Sequence, residues 1–239
     1  TSLQGCYAIG EAAGSHGVTR PGGAALNSGQ VFGKRVAIAI KRARNEKTDT
    51  SVDSAVVNQA IEGTLRDADR FVGGGIGRKP KDIKTEIQAR MSDNAGIICT
   101  ADEVQSALEA ATALRCEVET KGLQVSSASM VGQAFRWRHM AWVSEAVLTA
   151  LDHYISNGGG SRGARAICSD AGTHCPEANG EDLSRFSFIE EQAKDREEKL
   201  IVSRIEDGIK VSALPVDLTP EVQREFFEKG WGSYLIKEG

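Results

Sequence analysis

Aromatic residues are scarce: 3 Trp, 3 Tyr and 7 Phe make up 5% of the 239 residues. So few rings leave little on which bases could stack, which disfavours a single-stranded nucleic-acid platform. Positive charge is not in excess either, the formal net charge being -4. Without a basic field there is no counterion-release drive, and nucleic acid is not expected as a partner. No run of about 18 apolar residues occurs, so no transmembrane segment is expected. No signal-peptide pattern opens the chain. The five cysteines, Cys6, Cys99, Cys116, Cys168 and Cys175, are odd in number and form no C-x-x-C pair. That usage fits free thiols in a reducing compartment and gives the expectation of a cytoplasmic protein. What remains is ordinary, 40% hydrophobic and 26% charged, which excludes a disordered chain, a collagen-like repeat and a small disulfide scaffold. The length suffices for one large domain or two small ones around a real core.

Helical patterns dominate. One runs from about Ala24 to Arg44 and ends in the basic turn Lys41, Arg42 and Arg44, which suits the negative end of a helix dipole. A second covers about Asp53–Arg70, with Asp53 or Ser54 near its N-cap, and a third about Lys81–Met91. Thr100 caps a fourth, about Ala101–Glu119, with Glu103 at the capping-box position. The longest, about residues 128–156, stops at Asn157-Gly158-Gly159-Gly160. Residues 164–182 read as irregular. Two strands at about 199–205 and 209–214, joined through Glu206-Asp207-Gly208, form a hairpin signal, and a short amphipathic helix is expected from Pro220 to Lys229.

One element does not fit a self-contained helical chain. Gly5-Cys6-Tyr7-Ala8-Ile9 reads as a short strand buried on both sides, as in a parallel sheet. Such a strand needs ladder partners for its backbone groups, and the next stretch of about 150 residues is nearly all helix. The chain also opens on Thr1 rather than Met. The expectation is that the sheet lies upstream and that this is the C-terminal part of a larger protein.

The most informative stretch is Gly5 to Val36, where a strand ends at Gly10-Glu11 and a glycine-rich loop leads into a helix. A carboxylate at the C-terminal end of a strand is placed to accept hydrogen bonds from ribose hydroxyls. A helix start built of Gly22, Gly23, Ala24 and Ala25 presents backbone N–H groups beside almost no side chain, so a flat, partly anionic ring can lie against it. Arg20, just before that turn, offers a guanidinium for bidentate capture of a carboxylate.

These residues resemble a known family. Tyr7-Ala8-Ile9-Gly10-Glu11, then His16-Gly17-Val18-Thr19-Arg20-Pro21-Gly22-Gly23-Ala24-Ala25-Leu26, then Val31-Phe32-Gly33 is similar to the second FAD-contacting segment of the succinate dehydrogenase, fumarate reductase and L-aspartate oxidase flavoproteins. Met91, Ala95, Gly96 and Ile97 resemble the start of that family's C-terminal helical domain, and Ser161-Arg162-Gly163-Ala164 its SRGA segment. The resemblance implies that Gly10 and Glu11 hold the FAD ribose. It also implies that Gly22, Gly23 and the backbone of Ala25 and Leu26 face the pyrimidine end of the flavin ring, and that Arg20 is catalytic, holding a carboxylate of the substrate. His16 is a substrate-ligand candidate or, more simply, a residue that orders its turn. The helix dipole favours negative charge on the ring, which suits hydride chemistry. Departures exist: Ala24-Ala25 stand where the family has Asn-Ser, Thr19 where it has Asn, and Arg165 where it has His. The family's first nucleotide-binding motif and its capping domain have no counterpart here. Only part of an FAD site is therefore expected, completed by an N-terminal FAD-binding and capping portion, with a small carboxylate-bearing substrate.

The expected fold class is mainly α: a helical domain (46–165) preceded by a strand-loop-helix remnant of an α/β FAD-binding domain (1–45) and followed by a hairpin-containing tail (166–239). The alternative is a stand-alone helical interaction module with no cofactor. Other motifs carry less. Gly29 to Gly33-Lys34 is one residue short of a phosphate loop and sits inside a helix. Gly73-Gly74-Gly75-Ile76-Gly77 follows a helix rather than a strand and reads as an interhelical hinge. Cys168, Asp170, His174 and Cys175 match no standard zinc spacing. Phe135, Trp137, His139, Met140 and Trp142 read as packing residues of the long helix.

Overall fold

A computed structural model describes residues 5–14, 16, 22–45, 53–73, 76–163, 165–175, 180, 186–206 and 208–216. Five helices carry the architecture: α1 (Ala24–Asn45), α2 (Ser54–Val72), α3 (Pro80–Asn94), α4 (Ala101–Lys121) and α5 (Val131–Ser156). Five strands accompany them: β1 (Ile98–Thr100), β2 (Ala166–His174), β3 (Ser187–Phe188), β4 (Glu198–Ile205) and β5 (Gly208–Pro215). The mainly helical class expected from sequence holds, together with a small mixed sheet and a hairpin.

Local chemistry sets the helix limits. Asp53 accepts a hydrogen bond from the Ala55 N–H at 2.8 Å at the start of α2. Thr100 and Glu103 form the reciprocal capping box of α4, with the Thr100 N–H donating to Glu103 Oε2 at 3.2 Å. Pro80 starts α3, where its missing N–H costs nothing.

The long pair α4 and α5 forms the spine, and the core splits into two clusters along it. In the first, Phe71 of α2 packs with Ile83 and Ile87 of α3, Leu114 and Val118 of α4, and Ala134 and Ala141 of α5. Phe71 meets Phe135 edge-on, their ring centroids 5.2 Å apart. In the second, Val104, Ala107 and Ala111 of α4 pack with Leu148 and Leu151 of α5, Cys99 of β1 and Ile167 of β2. Gly77 is no simple hinge: a Cβ there would lie 2.1 Å from the Gly122 carbonyl oxygen, beside the bridge between Arg78 and Leu123.

The region 166–174, read as irregular, is a strand. β2 pairs in parallel with β1 (Ile98 with Ala166, Cys99 with Ile167) and antiparallel with β3. Its ladder partner lies some seventy positions away and is only three residues long, so no local alternation announces it. β4 and β5 form the expected hairpin in continuous register from Glu198–Pro215 to Ile205–Gly208 and lie against α5. The expected helix at 220–229 lies outside the described residues.

The buried strand expected at 5–9 does not form. Among the described residues no strand pairs with Cys6–Ile9, and Tyr7 and Ile9 are 45% and 41% exposed. An apolar run becomes a strand only when another strand takes its N–H and C=O groups. Here Ile9 instead lies along α1, and its side chain reaches 3.6 Å from where a Cβ on Gly33 would stand.

Candidate functional site

The segment around Glu11 is built on two glycines of α1. Gly10 adopts φ +62°, a conformation that favours glycine, and opens a single 3₁₀ turn, Gly10–Ala13. The Gly14 N–H closes this turn on the Glu11 carbonyl at 2.9 Å. Gly29 and Gly33, one helical turn apart on α1, give a smooth strip across which Ile9 and Gly10 run, with 3.7 Å from a Cβ at Gly10 to Gly29 Cα. The Glu11 side chain points from that turn into solvent. The crossing at Gly29 lies five residues, about 7.5 Å along the axis, from the first residue of α1.

That first turn presents backbone donors. The first hydrogen bond of α1 runs from the Asn27 N–H to the Gly23 carbonyl at 3.3 Å. The N–H groups of Ala24, Ala25 and Leu26 therefore have no acceptor inside the helix. No acidic side chain lies in this turn, and no described residue stands within 4 Å of a Cβ at Gly22 or Gly23. His16 is half-buried, and both its ring nitrogens are shielded from solvent with no hydrogen-bond partner among the described residues. Of the residues singled out from sequence, Gly22, Gly23, Ala25 and Leu26 lie at the start of α1, and Gly10, next to Glu11, lies against Gly29, five residues into the same helix. Arg20 lies outside the described residues.

The SRGA segment has a structural explanation. Ser161 Oγ accepts from the Ile167 N–H at 2.9 Å, and the Ser161 N–H donates to the Ile189 carbonyl at 2.7 Å. Arg162 pairs with Glu191 at 2.8 Å and donates to the Asp195 carbonyl. Arg165 donates to the carbonyls of Ala95 (2.9 Å) and Gly96 (3.2 Å), just past the C-terminus of α3. A cation is favoured there by the helix dipole. Arg165 is therefore a helix-terminating residue.

A polar network that sequence reading did not single out joins α2, α4, α5 and β4. Arg138 grips Glu119 through two hydrogen bonds of 2.8 and 2.7 Å and reaches Asp67 of α2 at 2.6 Å. The Trp142 indole N–H donates to Glu119 at 2.9 Å. Arg115 and Arg204 lie over the Trp142 ring, 4.5 and 4.1 Å from its centroid. Arg115 also pairs, buried, with Glu145. The hydrogen bonds from Arg138 hold the Glu119 carboxyl below the ordinary carboxylate range. Trp142 was read as packing alone; helical spacing shows which residues share a face but not which charges cross from a neighbouring helix. Burial pushes the thiols of Cys99 and Cys168 up and Tyr154 up to about 12, so all three stay protonated near neutrality.

No family model matches the chain. Fumarate reductase flavoprotein subunits of two Mycobacterium tuberculosis strains, CDC 1551 / Oshkosh and H37Rv, are each 34% identical to it over 128 residues. That match takes in 52% of this chain and 22% of each subunit. Among solved structures, a mutant of E. coli quinol fumarate reductase FrdA superimposes with a TM-score of 0.67 over 91% of this chain, at 20% identity. The Mycobacterium smegmatis Sdh1 complex in its apo form gives 0.63 over 90%, at 23% identity. The chain spans about a fifth of the length of these curated relatives and 34% of each solved chain. The chain thus resembles fumarate reductase and succinate dehydrogenase flavoproteins in fold and, more weakly, in sequence.

Proposed function

We infer that this chain is the C-terminal portion of an FAD-dependent oxidoreductase of the fumarate reductase and succinate dehydrogenase type. On this reading it supplies part of the flavin pocket and of the substrate-carboxylate site. The observation that carries the reading is the agreement of two comparisons: a fumarate reductase flavoprotein subunit matches in sequence over 128 residues, and the same class of protein matches in fold over 91% of the chain.

The residues present fit a flavin. Among the described residues, no side chain crowds Gly23 and no acceptor within α1 takes the N–H groups of Ala24, Ala25 and Leu26, which suits a flat acceptor-bearing ring. Glu11, exposed on its turn nearby, is available to accept from ribose hydroxyls. Bound there, the flavin supplies a centre that exchanges hydride with an activated carbon–carbon bond. The helix start favours negative charge at one end of that ring. Arg20 holds a substrate carboxylate by paired, charge-assisted hydrogen bonds, a role assigned from its place in the sequence motif.

Co-expression with the nucleotide-binding portion of the M. tuberculosis subunit tests this. A complex with flavin absorption bands is expected, with the flavin lost in Glu11→Ala. Arg20→Ala should keep the flavin and lose turnover of a small dicarboxylate. A well-formed complex without flavin overturns the reading and favours the helical interaction module.

A further inference from the structure

β2 and the residue that follows it hold two cysteines, and the register of the strand brings them together. Cys168 and Cys175 are seven positions apart, which in a regular strand means about 23 Å and opposite faces. Here the strand makes an excursion: Cys168 and Thr173 both align with Phe188 of β3. The shift of five residues is odd, so it reverses the alternation of faces. The Cys175 N–H then donates to the Phe186 carbonyl at 2.8 Å, two positions along from Phe188. Cys99, Ile167 and Ile189 mark the face that packs against α4 and α5. Cys168, opposite Phe188, and Cys175, opposite Phe186, therefore share the other face, about 7 Å apart along the strand. Disulfides reach to about 7 Å between Cα atoms. The excursion is held in place: a Cβ at Gly172 would meet the Phe188 carbonyl oxygen at 2.5 Å, and Ser169 Oγ accepts from the Ala171 N–H at 3.3 Å. Ser169, Asp170 and Ala171 are exposed and take no part in the register with β3, so the chain between the thiols has room to draw them together. Both thiols are free and half-buried.

We propose that Cys168 and Cys175 form a peroxide-responsive thiol pair, oxidised to an intramolecular disulfide and restored by a dithiol. Burial and then the neighbouring Cys175 push the Cys168 thiol up. A thiol held protonated is a poor first nucleophile, so Cys175 attacks and Cys168 resolves. The Cys175 sulfur takes one oxygen of hydrogen peroxide. The O–O bond breaks, the second oxygen leaves as water, and Cys175 becomes a sulfenic acid. The Cys168 sulfur then attacks the sulfenic sulfur, the S–S bond forms, and the sulfenic oxygen leaves as a second water. Two thiols give up two electrons and two protons in all, and one peroxide is reduced to two waters. Cys99 is not the resolving partner, because it is fully buried on the core face, where its thiol donates to the Ala166 carbonyl at 3.8 Å. Cys116 lies on α4 and Cys6 ahead of α1, and neither belongs to this sheet. The disulfide fixes Cys168 and the excursion, which together wall a groove against Thr100 and Asp102 at the start of α4. The proposal goes beyond the function inferred above and does not require a flavin.

The experiment treats the 239-residue chain with hydrogen peroxide after Cys6→Ser and Cys116→Ser have removed its two exposed thiols. Peptide mapping after alkylation should find Cys168 joined to Cys175, with a mass loss of about 2 Da and no added oxygen. Dithiothreitol should reverse the change, and the oxidised chain should melt about 5 °C above the reduced one. In Cys168→Ser, Cys175 should stop at the sulfenic acid, captured by dimedone. In Cys175→Ser, oxidation of Cys168 should be roughly tenfold slower. The peptide map of the chain that keeps both thiols decides the matter without either of these last variants, so a failure of one to fold changes nothing. Thiols at 168 and 175 that stay open to alkylation after peroxide overturn the proposal, as does a disulfide that joins either of them to Cys99. A bond that forms only in urea, where the register of β2 and β3 is lost, also overturns it.

Discussion

Residues before Gly77 and residues after it use apolar side chains in opposite ways. Among the described residues, eleven of the seventeen exposed large apolar side chains lie at or before Ile76. Phe71 is the only buried apolar residue described in that stretch, so among the described residues its helices take their order from local bonds rather than from a core. From Gly77 onward the same residue types fill two continuous clusters between α3, α4, α5 and the small sheet. Two helices of similar length show the contrast: α2 has one buried residue, whereas α4 has six. A long helix without a partner is marginal in water, because most helical stability in proteins comes from packing of one face. Among the described residues the first region is therefore lightly packed, and the second is a folded body.

The largest test exchanges the same residue type in the two regions. Leu148→Ala, at a fully buried position of α5, should cost about 2–5 kcal/mol in chemical denaturation of the isolated chain. Leu65→Ala, 58% exposed on α2, should cost less than about 0.5 kcal/mol. Equal losses would mean that α2 is covered in the free chain, and the contrast would collapse.

Gly77→Ala probes the seam between the regions. The new methyl would meet the Gly122 carbonyl, backbone that cannot swing aside, at a buried position. About 1–3 kcal/mol of destabilisation is expected from such overpacking. A hinge with room to move would accept the alanine with little change in melting temperature, so the thermal melt separates a joint from a linker.

How much of this was legible in the sequence depends on range. The caps at Asp53 and Thr100, the limits of α4 and the hairpin turn follow from residues within a few positions of one another, and each was readable. The strand β2 was not, because its order comes from β1 and from a register shift between Cys168 and Thr173 that local sequence does not encode. The segment 5–9 failed the other way: its apolar run is strand-like, but no described strand pairs with it. For the candidate site, the glycines and Glu11 stood out as a motif. The smooth strip of Gly29 and Gly33 that seats them did not, because i, i+4 glycines signal close approach only once the crossing segment is known. The role of Arg165 at the end of α3 was hidden by the same long separation.

The caps sharpen the comparison on a smaller scale. Thr100→Ala removes the side-chain half of the capping box, while the backbone N–H at that position can still donate to Glu103, on a helix whose far face is core, so about 1 kcal/mol should be lost from global stability. Asp53→Ala removes an equivalent cap from the bare end of α2. There the loss should be local, seen as faster amide hydrogen exchange over the first turns of α2 with an unchanged global melt. If Asp53→Ala lowers the global melt as much as Thr100→Ala, the two regions unfold as one unit.

The smallest effect concerns the polar contact that ties the regions together. Hydrogen bonds from Arg138 and Trp142 hold the Glu119 carboxyl below its ordinary range, while Arg138 also reaches across to Asp67 of α2. A carboxyl with a depressed folded-state pKa contributes stability that is present above its unfolded pKa and lost as pH falls through the folded one. The contribution of Glu119 should therefore be intact at neutral pH and fade only below the usual carboxylate range, near pH 4. Because the indole of Trp142 donates to that same carboxylate, protonation should alter tryptophan emission. In Arg138→Gln the Glu119 carboxyl returns toward its ordinary range, so the acid transition in Trp142 emission should move to higher pH. α2 should then lose one of its anchors and be held by Phe71 and by the hydrogen bond from Arg70 to the Glu119 carbonyl at 3.4 Å. An acid transition that stays where it was in Arg138→Gln would show that Trp142 responds to unfolding of the core rather than to the Glu119 contact.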